Sequence, residues 1–248
     1  MKTSMIRKIY VPSVLMLIVF VSLFIISAAP KSYVVKPSVV TNSGVPVSFA
    51  KVSVYDSLKL GNMGLTKDAY EKAVKGLSYL VKEGKISNSD IVSIVDFSLA
   101  SNKKRLFILD LQNYKILFNT YVAHGRNSGK ETANVFSNQD QSFKSSLGFY
   151  VTRDTYEGKH GYSLRLDGQE KGINDNALAR GIVMHSAWYV SEEVAKSQGF
   201  IGRSQGCPAI PENVFKPIIQ QIKGGTCLFL YSPANTYVSN SKILKQTS

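Results

Sequence analysis

The sequence predicts a mainly β, α+β protein in which one helix is followed by a series of short strands. Residues 66–83 (TKDAYEKAVKGLSYLVKE) repeat apolar residues at helical spacing. From residue 91 onward, short runs of β-branched and aromatic residues alternate with turn residues. A chain of 248 residues is long enough to bury one substantial core. We therefore expect one main domain with an N-terminal helical element and a few packed helices.

The individual elements follow from apolar spacing and from the turn residues between them. The helix over 66–83 ends at Gly84, a typical C-terminal cap. The segment 124–146 is long and polar, which is typical of a functional loop. The tail from Ser239 is polar and is expected to be loose. The predicted strands are 91–97, 105–111, 115–123, 147–152, 162–166, 182–185 and 226–231, and the further helical segments are 174–180, 192–197 and 211–223.

The N-terminus has the pattern of an export segment. Three basic residues within the first eight positions precede an apolar run over 14–26, and Ser-Ala-Ala at 27–29 matches a small-residue cleavage site. The apolar stretch is also long enough to span a bilayer, so residues 1–29 are either a cleaved signal peptide or an uncleaved anchor. Both alternatives place the remainder outside the cytoplasm, in the periplasm or cell envelope.

Four further segments follow the export segment. We expect a linker over 30–60, the helical element over 61–88, the main domain over 89–235 and a polar C-terminal tail over 236–248.

The net charge of +13 favours polyanionic surroundings. Neither a basic recognition helix nor an aromatic RNA-binding strand nor a zinc-finger spacing accompanies this charge, which argues against nucleic acid as a partner. An anionic cell-wall polymer fits better, and membrane contact is expected only through the N-terminal segment if that segment is uncleaved.

Cys207 is the strongest candidate for a catalytic residue. It lies on a predicted turn, Gly-Arg-Ser-Gln-Gly-Cys-Pro over 202–208, and His185 ends an apolar strand upstream. A thiol with a pKa near ~8.5 needs a neighbouring imidazole to accept its proton. Gly206 leaves backbone N–H groups open toward a substrate carbonyl oxygen.

The cysteines and histidines could instead form a disulfide or a zinc site. Cys207 and Cys227 could form a disulfide in an exported protein, but Cys227 lies in an apolar strand, which favours one inert and one reactive thiol. Zinc ligation by His124, His185 and Cys207 lacks the close ligand spacing of zinc sites, so we predict neither metal nor cofactor. His160 lies between glycines and is expected in a solvated loop.

The residues around His185 and Cys207 resemble the L,D-transpeptidase (YkuD-type) signature, in which a histidine strand precedes an S-x-G-C turn. The similarity extends to the murein L,D-transpeptidase catalytic-domain branch and covers roughly residues 90–232. The additional matching segments are 123–125, 136–138, 145–150, 174–177 and 206–209.

This resemblance implies a β-sandwich-like core and a two-step acyl transfer on peptidoglycan stem peptides. Cys207 would be the nucleophile, His185 its general base and Ser204 a supporting residue, with the N–H groups of Gly206 and Cys207 as oxyanion hole. An amine acceptor would give a 3→3 cross-link, whereas water would make the protein an L,D-carboxypeptidase. A non-catalytic cell-wall-binding protein is the alternative from another class.

The residues that would bind the substrate follow the resemblance less closely. The arginine that usually comes soon after the cysteine is missing, because Pro208-Ala209-Ile210 stands there. Arg203 or Arg126 could hold the substrate carboxylate instead, since a guanidinium pairs with a carboxylate through two hydrogen bonds. The other expected substrate-binding residues are His124, Ser186 and Tyr189.

Overall fold

The computed structural model describes residues 53–246. The expected signal or anchor segment and most of the expected linker therefore lie outside the described residues. Within the described part of the chain, no helix combines the length and the apolar character needed to cross a bilayer.

Eight strands form one mixed sheet at the centre of the domain. They are β1 Ile91–Asp96, β2 Leu106–Asp110, β3 Lys115–Thr120, β4 Gly148–Gly158, β5 Gly161–Gly168, β6 Val183–Ser186, β7 Ala209–Ile210 and β8 Cys227–Tyr231. Their order is β3-β2-β1-β8-β4-β5-β6-β7. β1 pairs with β8 and β6 with β7 in parallel, and the other neighbours are antiparallel. The predicted mainly β, α+β class is confirmed.

Beyond β3, the chain joins the two ends of this sheet. The Ala123 N–H donates to the Ala209 carbonyl at 2.8 Å, and Gly125 forms an isolated parallel bridge with Ser204. The predicted β-sandwich-like core thus consists of one continuous sheet whose ends are held together. This joining places the turn around Cys207 beside the loop that follows β3.

The longest helix packs directly on the aromatic core of the sheet. The helices are α1 Val54–Ser57, a 3-10 helix Leu60–Met63, α2 Lys67–Lys82, α3 Glu192–Gln198, α4 Phe215–Ile222, α5 Asn235–Asn240 and α6 Lys242–Lys245. α2 begins as predicted, because the Thr66 hydroxyl accepts from the Ala69 N–H. A Cβ at Gly76 would lie 2.0 Å from the ring of Phe149, so only glycine allows this close approach. Phe149 in turn stacks on Phe229 with ring centroids 4.1 Å apart.

Two predicted helical segments differ from the structure. The segment 174–180 forms hydrogen-bonded turns, in which the Arg180 N–H donates to the Asn176 carbonyl at 2.9 Å. The helix predicted from Pro211 begins only at Phe215. Propensity and apolar spacing leave helix boundaries uncertain by several residues, because the first turn lacks intrahelical partners for its N–H groups.

The expectations for the two ends of the domain need correction. Residues 54–60, assigned to the linker, are folded, and the Leu60 side chain is fully buried. The tail is not loose either, because the Ser241 hydroxyl donates to the buried Glu170 carboxylate and Ile243 and Leu244 join the core. Two apolar residues in a polar tail are too few to show a helical period, which explains the error.

The β4–β5 hairpin projects beyond the core. The predicted strands 147–152 and 162–166 cover only its inner half, and most of residues 153–161 are exposed. Gly158 pairs with Gly161 at the tip, so that Lys159 and His160 form a two-residue loop. This tip lies at the rim of the cleft described next.

Candidate active site

A cleft of about 760 Å³ lies where the ends of the sheet are joined. It brings together six of the predicted site residues, namely Cys207, His185, Ser204, Arg203, Arg126 and Tyr189. His124, Ser186 and Gly206 lie outside its wall. Among residues 53–246, no group of three or more His, Cys, Asp or Glu side chains is arranged to hold a metal ion.

Two serines fix the turn that carries Cys207. The Ser204 hydroxyl accepts from the Gly206 N–H at 3.0 Å and donates to the Cys207 carbonyl at 2.7 Å. The Ser145 hydroxyl accepts from the Gly125 N–H at 3.0 Å and donates to the Gly206 carbonyl at 3.1 Å. Gly206 has φ of 125°, which favours glycine at this position. These bonds tie the turn to the neighbouring loops on both sides.

The same bonds change the expected oxyanion hole. The Gly206 N–H points at the Ser204 hydroxyl, so in this conformation it cannot stabilise charge on a substrate oxygen. The Cys207 N–H lies beside its own sulfur. The Val183 N–H on β6 also lies beside this sulfur, so these two backbone donors are the ones near the thiol.

The Cys207 thiol is half-buried and the Cys227 thiol is fully buried; both are free, so the disulfide alternative is excluded. The Cys207 sulfur donates a weak hydrogen bond to the Gly181 carbonyl at 3.7 Å. Burial raises the pKa of the Cys207 thiol, while the positive charges of Arg180 and Lys159 act in the opposite direction. The resting thiol is protonated at neutral pH, so it needs a base to become a nucleophile.

The buried ring of His185 lies at the end of the strand that pairs with β7 and is neutral at pH 7. Its Nδ1–H donates to the Ser186 carbonyl at 2.8 Å, because a carbonyl oxygen can only accept. Nε2 of the neutral ring is therefore unprotonated. Burial lowers the pKa of His185, and the hairpin tip adds to this shift. The parallel pairing of His185 with Ala209 brings the ring to the strand that begins two residues after Cys207.

Positive side chains dominate the wall of the cleft. Four arginine or lysine residues line it, against the single acid Asp140. Both candidates for holding a carboxylate are among them: Arg203 donates to the carbonyls of Arg126 and Gly129 at 3.1 and 3.2 Å. The guanidinium of Arg126 stacks over the ring of Phe143 at 4.0 Å. A cleft of this charge is suited to a substrate that carries carboxylates.

Arg180 is a residue of the cleft that the sequence prediction missed. Its guanidinium lies 3.4 Å from the position that a Cβ on Gly206 would take, directly against the turn that carries Cys207. It donates to the carbonyls of Ser137 and Lys144 at 2.9 and 2.8 Å, to the hydroxyl of Ser142 at 3.3 Å and to that of Ser146. No spacing to Cys207 marks this arginine in the sequence, because only the fold brings 137–146 and 180 together.

Tyr189 and His160 line the cleft, whereas Ser186 acts on the site through its carbonyl. Burial raises the pKa of Tyr189 to about 12, so its phenol keeps its proton and can donate. The Gly202 N–H donates to the Tyr189 carbonyl at 2.8 Å. The expectation that His160 is only solvated is wrong, because its ring stacks on that of His185.

His124 lies beneath the cleft and not in it, which corrects its assignment as a substrate contact. The ring is 0% exposed. Its Nδ1 accepts from the buried Arg105 guanidinium at 2.7 Å, and its Nε2–H donates to the Gly129 carbonyl at 3.2 Å. Burial, followed by the charge of Arg105, lowers the pKa of His124 to about 4. His124 thus supports the loop that carries Arg126.

This buried histidine makes stability depend on pH. Between pH 6.5 and about 4, the unfolded chain binds a proton at His124 that the native protein does not. The contribution of His124 to the free energy of unfolding is complete above pH 6.5. It falls by about 3 kcal/mol as the pH decreases from 6.5 to about 4. In His124→Gln, the glutamine side chain can still accept from Arg105 and donate to Gly129, but it does not titrate. The unfolding free energy of this variant should therefore fall less than that of the wild type when the pH is lowered. Urea unfolding at about pH 7 and about pH 4.5 measures the difference, and equal losses in both proteins would contradict it.

A family model described as "L,D-transpeptidase catalytic domain" matches residues 62–231. No curated protein matches the sequence.

Three solved structures illustrate the structural similarity. An L,D-transpeptidase from Mycobacterium smegmatis is 12% identical, with 58% of this chain and 59% of that chain covered and a TM-score of 0.36. L,D-transpeptidase 1 from Mycobacterium tuberculosis is 10% identical, with coverages of 57% and 62% and a TM-score of 0.34. The helical cell shape determining protein Pgp2 from Campylobacter jejuni is 15% identical, with coverages of 65% and 56% and a TM-score of 0.38. This chain spans less than two thirds of each of these chains. The family-model match covers most of the sequence, and this chain therefore belongs to the L,D-transpeptidase catalytic-domain family.

Proposed function

We propose that this protein is an exported cysteine acyltransferase that acts on peptidoglycan stem peptides through a thioester on Cys207. The observation that carries the proposal is the presence of the Cys207 thiol and the neutral imidazole of His185 on one cleft, in a member of this family. Export is supported by the basic and apolar pattern of residues 1–29.

In the first step, Nε2 of His185 takes the thiol proton while the Cys207 sulfur attacks a carbonyl carbon of the donor stem peptide. The bond concerned joins the third residue to the terminal D-residue. Negative charge on the carbonyl oxygen is stabilised by the Cys207 N–H. The C–N bond then breaks, His185 returns the proton to the leaving amine, and a thioester remains on Cys207.

In the second step, an amine attacks the thioester carbon and the Cys207 thiol regains its proton through His185. A side-chain amine of a neighbouring stem peptide forms a 3→3 cross-link, and a free D-amino acid exchanges the terminal residue. Water would give a carboxylate and hence L,D-carboxypeptidase activity. The nucleophile and base are the same in all three cases, so the acceptor alone distinguishes them.

The charges of the cleft support an acidic donor. Stem peptides carry carboxylates, and a guanidinium pairs with a carboxylate through two charge-assisted hydrogen bonds. Arg203 and Arg126 remain the proposed partners, and Arg180 extends the positive wall to the nucleophile turn. The net charge of +13 also supports contact with an anionic cell-wall polymer. A non-catalytic wall-binding protein is the competing proposal that this charge favours.

Incubation of the full chain with a defined tetrapeptide muropeptide tests the proposed function. We expect release of the terminal D-residue together with a cross-linked dimer, because the thioester can pass to an amine. Liquid chromatography with mass spectrometry separates the dimer from the tripeptide that water would produce. Absence of both products from a protein that remains folded and still binds cell wall would favour the non-catalytic alternative.

A further inference from the structure

The tip of the β4–β5 hairpin lies on the proposed catalytic base. The rings of His160 and His185 are stacked, with centroids 4.4 Å apart and an angle of 21° between the planes. Both rings line the cleft that contains Cys207. His160 thus reaches a buried catalytic ring from an exposed hairpin.

The hairpin backbone determines where this ring can lie. Gly158 and Gly161 are paired, so only two residues form the loop. Gly161 adopts a φ of 71°, which the tight turn requires and glycine permits. A two-residue loop has little freedom to move its side chains independently of the strands. The contact of His160 with His185 is therefore a property of the hairpin register.

We propose that His160 is a positioning residue for His185, covering one face of the imidazole so that Nε2 stays aimed into the cleft. This proposal rests on the proposed role of His185 as general base. The Ser186 carbonyl already fixes the Nδ1 edge of the ring at 2.8 Å. With His160 on one face, two constraints hold the ring, and rotation away from the cleft would break both.

The charges around His185 agree with this geometry. Lys159 and His160 act on it from the hairpin tip and the Ser186 carbonyl from β6, while Cys207 lines the same cleft. Burial is the largest cause of the lowered pKa of His185, and His160 and Lys159 lower it further. Two stacked imidazoles cannot both be protonated without repulsion. His160 consequently helps to keep the base neutral.

Three variants of the full chain test the proposal. His160→Ala removes the stacked ring, and a stacked pair contributes about 0.5–1.5 kcal/mol, so we expect kcat to fall about two- to tenfold with little change in KM. The acidic limb of the kcat/KM profile should move to higher pH. His160→Phe keeps a ring on His185 and should restore kcat. Glu157→Ala, an exposed position on the same hairpin outside the cleft, should match the wild type.

A titration that needs no turnover separates this proposal from the proposed function. The pKa of His185, followed by NMR of its ring, should rise toward 6.5 in His160→Ala, whereas Glu157→Ala should leave it unchanged. An unchanged His185 titration together with an unchanged kcat would overturn the positioning role. If the wild type itself turns over no muropeptide, the proposed function fails, while a shifted titration still shows that His160 controls His185.

Discussion

Replacing Cys207 with alanine is expected to abolish acyl transfer, lowering kcat/KM by at least about 10⁴-fold. The reason is chemical, because no other thiol reaches the cleft: Cys227, the second cysteine, is fully buried on β8. The thermal unfolding temperature should change little. Cys207 is only half-buried, and the hydrogen bonds that fix its turn use its backbone and the hydroxyls of Ser204 and Ser145. Muropeptide turnover and calorimetry measure the two effects separately.

Cys227→Ala is the matched control for this experiment. Burial raises the pKa of Cys227 to about 12, so its thiol is inert at neutral pH. Its loss should reduce the unfolding free energy by about 1 kcal/mol and leave turnover intact.

A carbapenem, which the family resemblance predicts to acylate the nucleophile, should add its full mass to the wild type and to Cys227→Ala. The same adduct on Cys207→Ala, or retained turnover, would contradict the assignment.

The proposed nucleophile and base could be singled out because their signals are local in the sequence. Gly206, Cys207 and Pro208 mark a turn with a reactive group, and His185 closes an apolar strand. The strands themselves are β-branched and aromatic runs that bury both faces, as in β1 and β8. These signals depend only on residues that are neighbours in the sequence, so they can be recognised without knowledge of the tertiary fold.

The residues that support the site could not be found in this way. The outer half of the β4–β5 hairpin is mostly exposed, so no alternation of apolar and polar residues reveals a strand there. Only the register of that hairpin brings His160 to His185. The acceptors of Arg180 and Arg105 are mainly backbone carbonyls, together with the hydroxyls of Ser142 and Ser146 and the ring of His124, and none is an acidic side chain. No sequence motif specifies such partners.

Replacing His185 is expected to cause the second large loss of turnover. Glutamine is a better substitution than alanine for this test. The ring is almost fully buried, so alanine would also leave a cavity. Glutamine fills more of the space and can still donate to the Ser186 carbonyl. Loss of a general base lowers rates by about 10²–10⁴-fold, so His185→Gln should slow muropeptide turnover by that amount.

The same variant distinguishes a neutral pair from a thiolate–imidazolium pair. The pKa of Cys207 is raised by burial and that of His185 is lowered by burial, and the sulfur donates to the Gly181 carbonyl instead of the imidazole. Alkylation of Cys207 by iodoacetamide should therefore keep increasing with pH beyond about 8.5, the ordinary pKa of a thiol, in both wild type and His185→Gln. Turnover, in contrast, should reach its acidic half-point below pH 6.5, where His185 loses its proton. An alkylation rate that is already constant near pH 7 in the wild type, and falls in His185→Gln, would show that the ion pair exists before substrate binds.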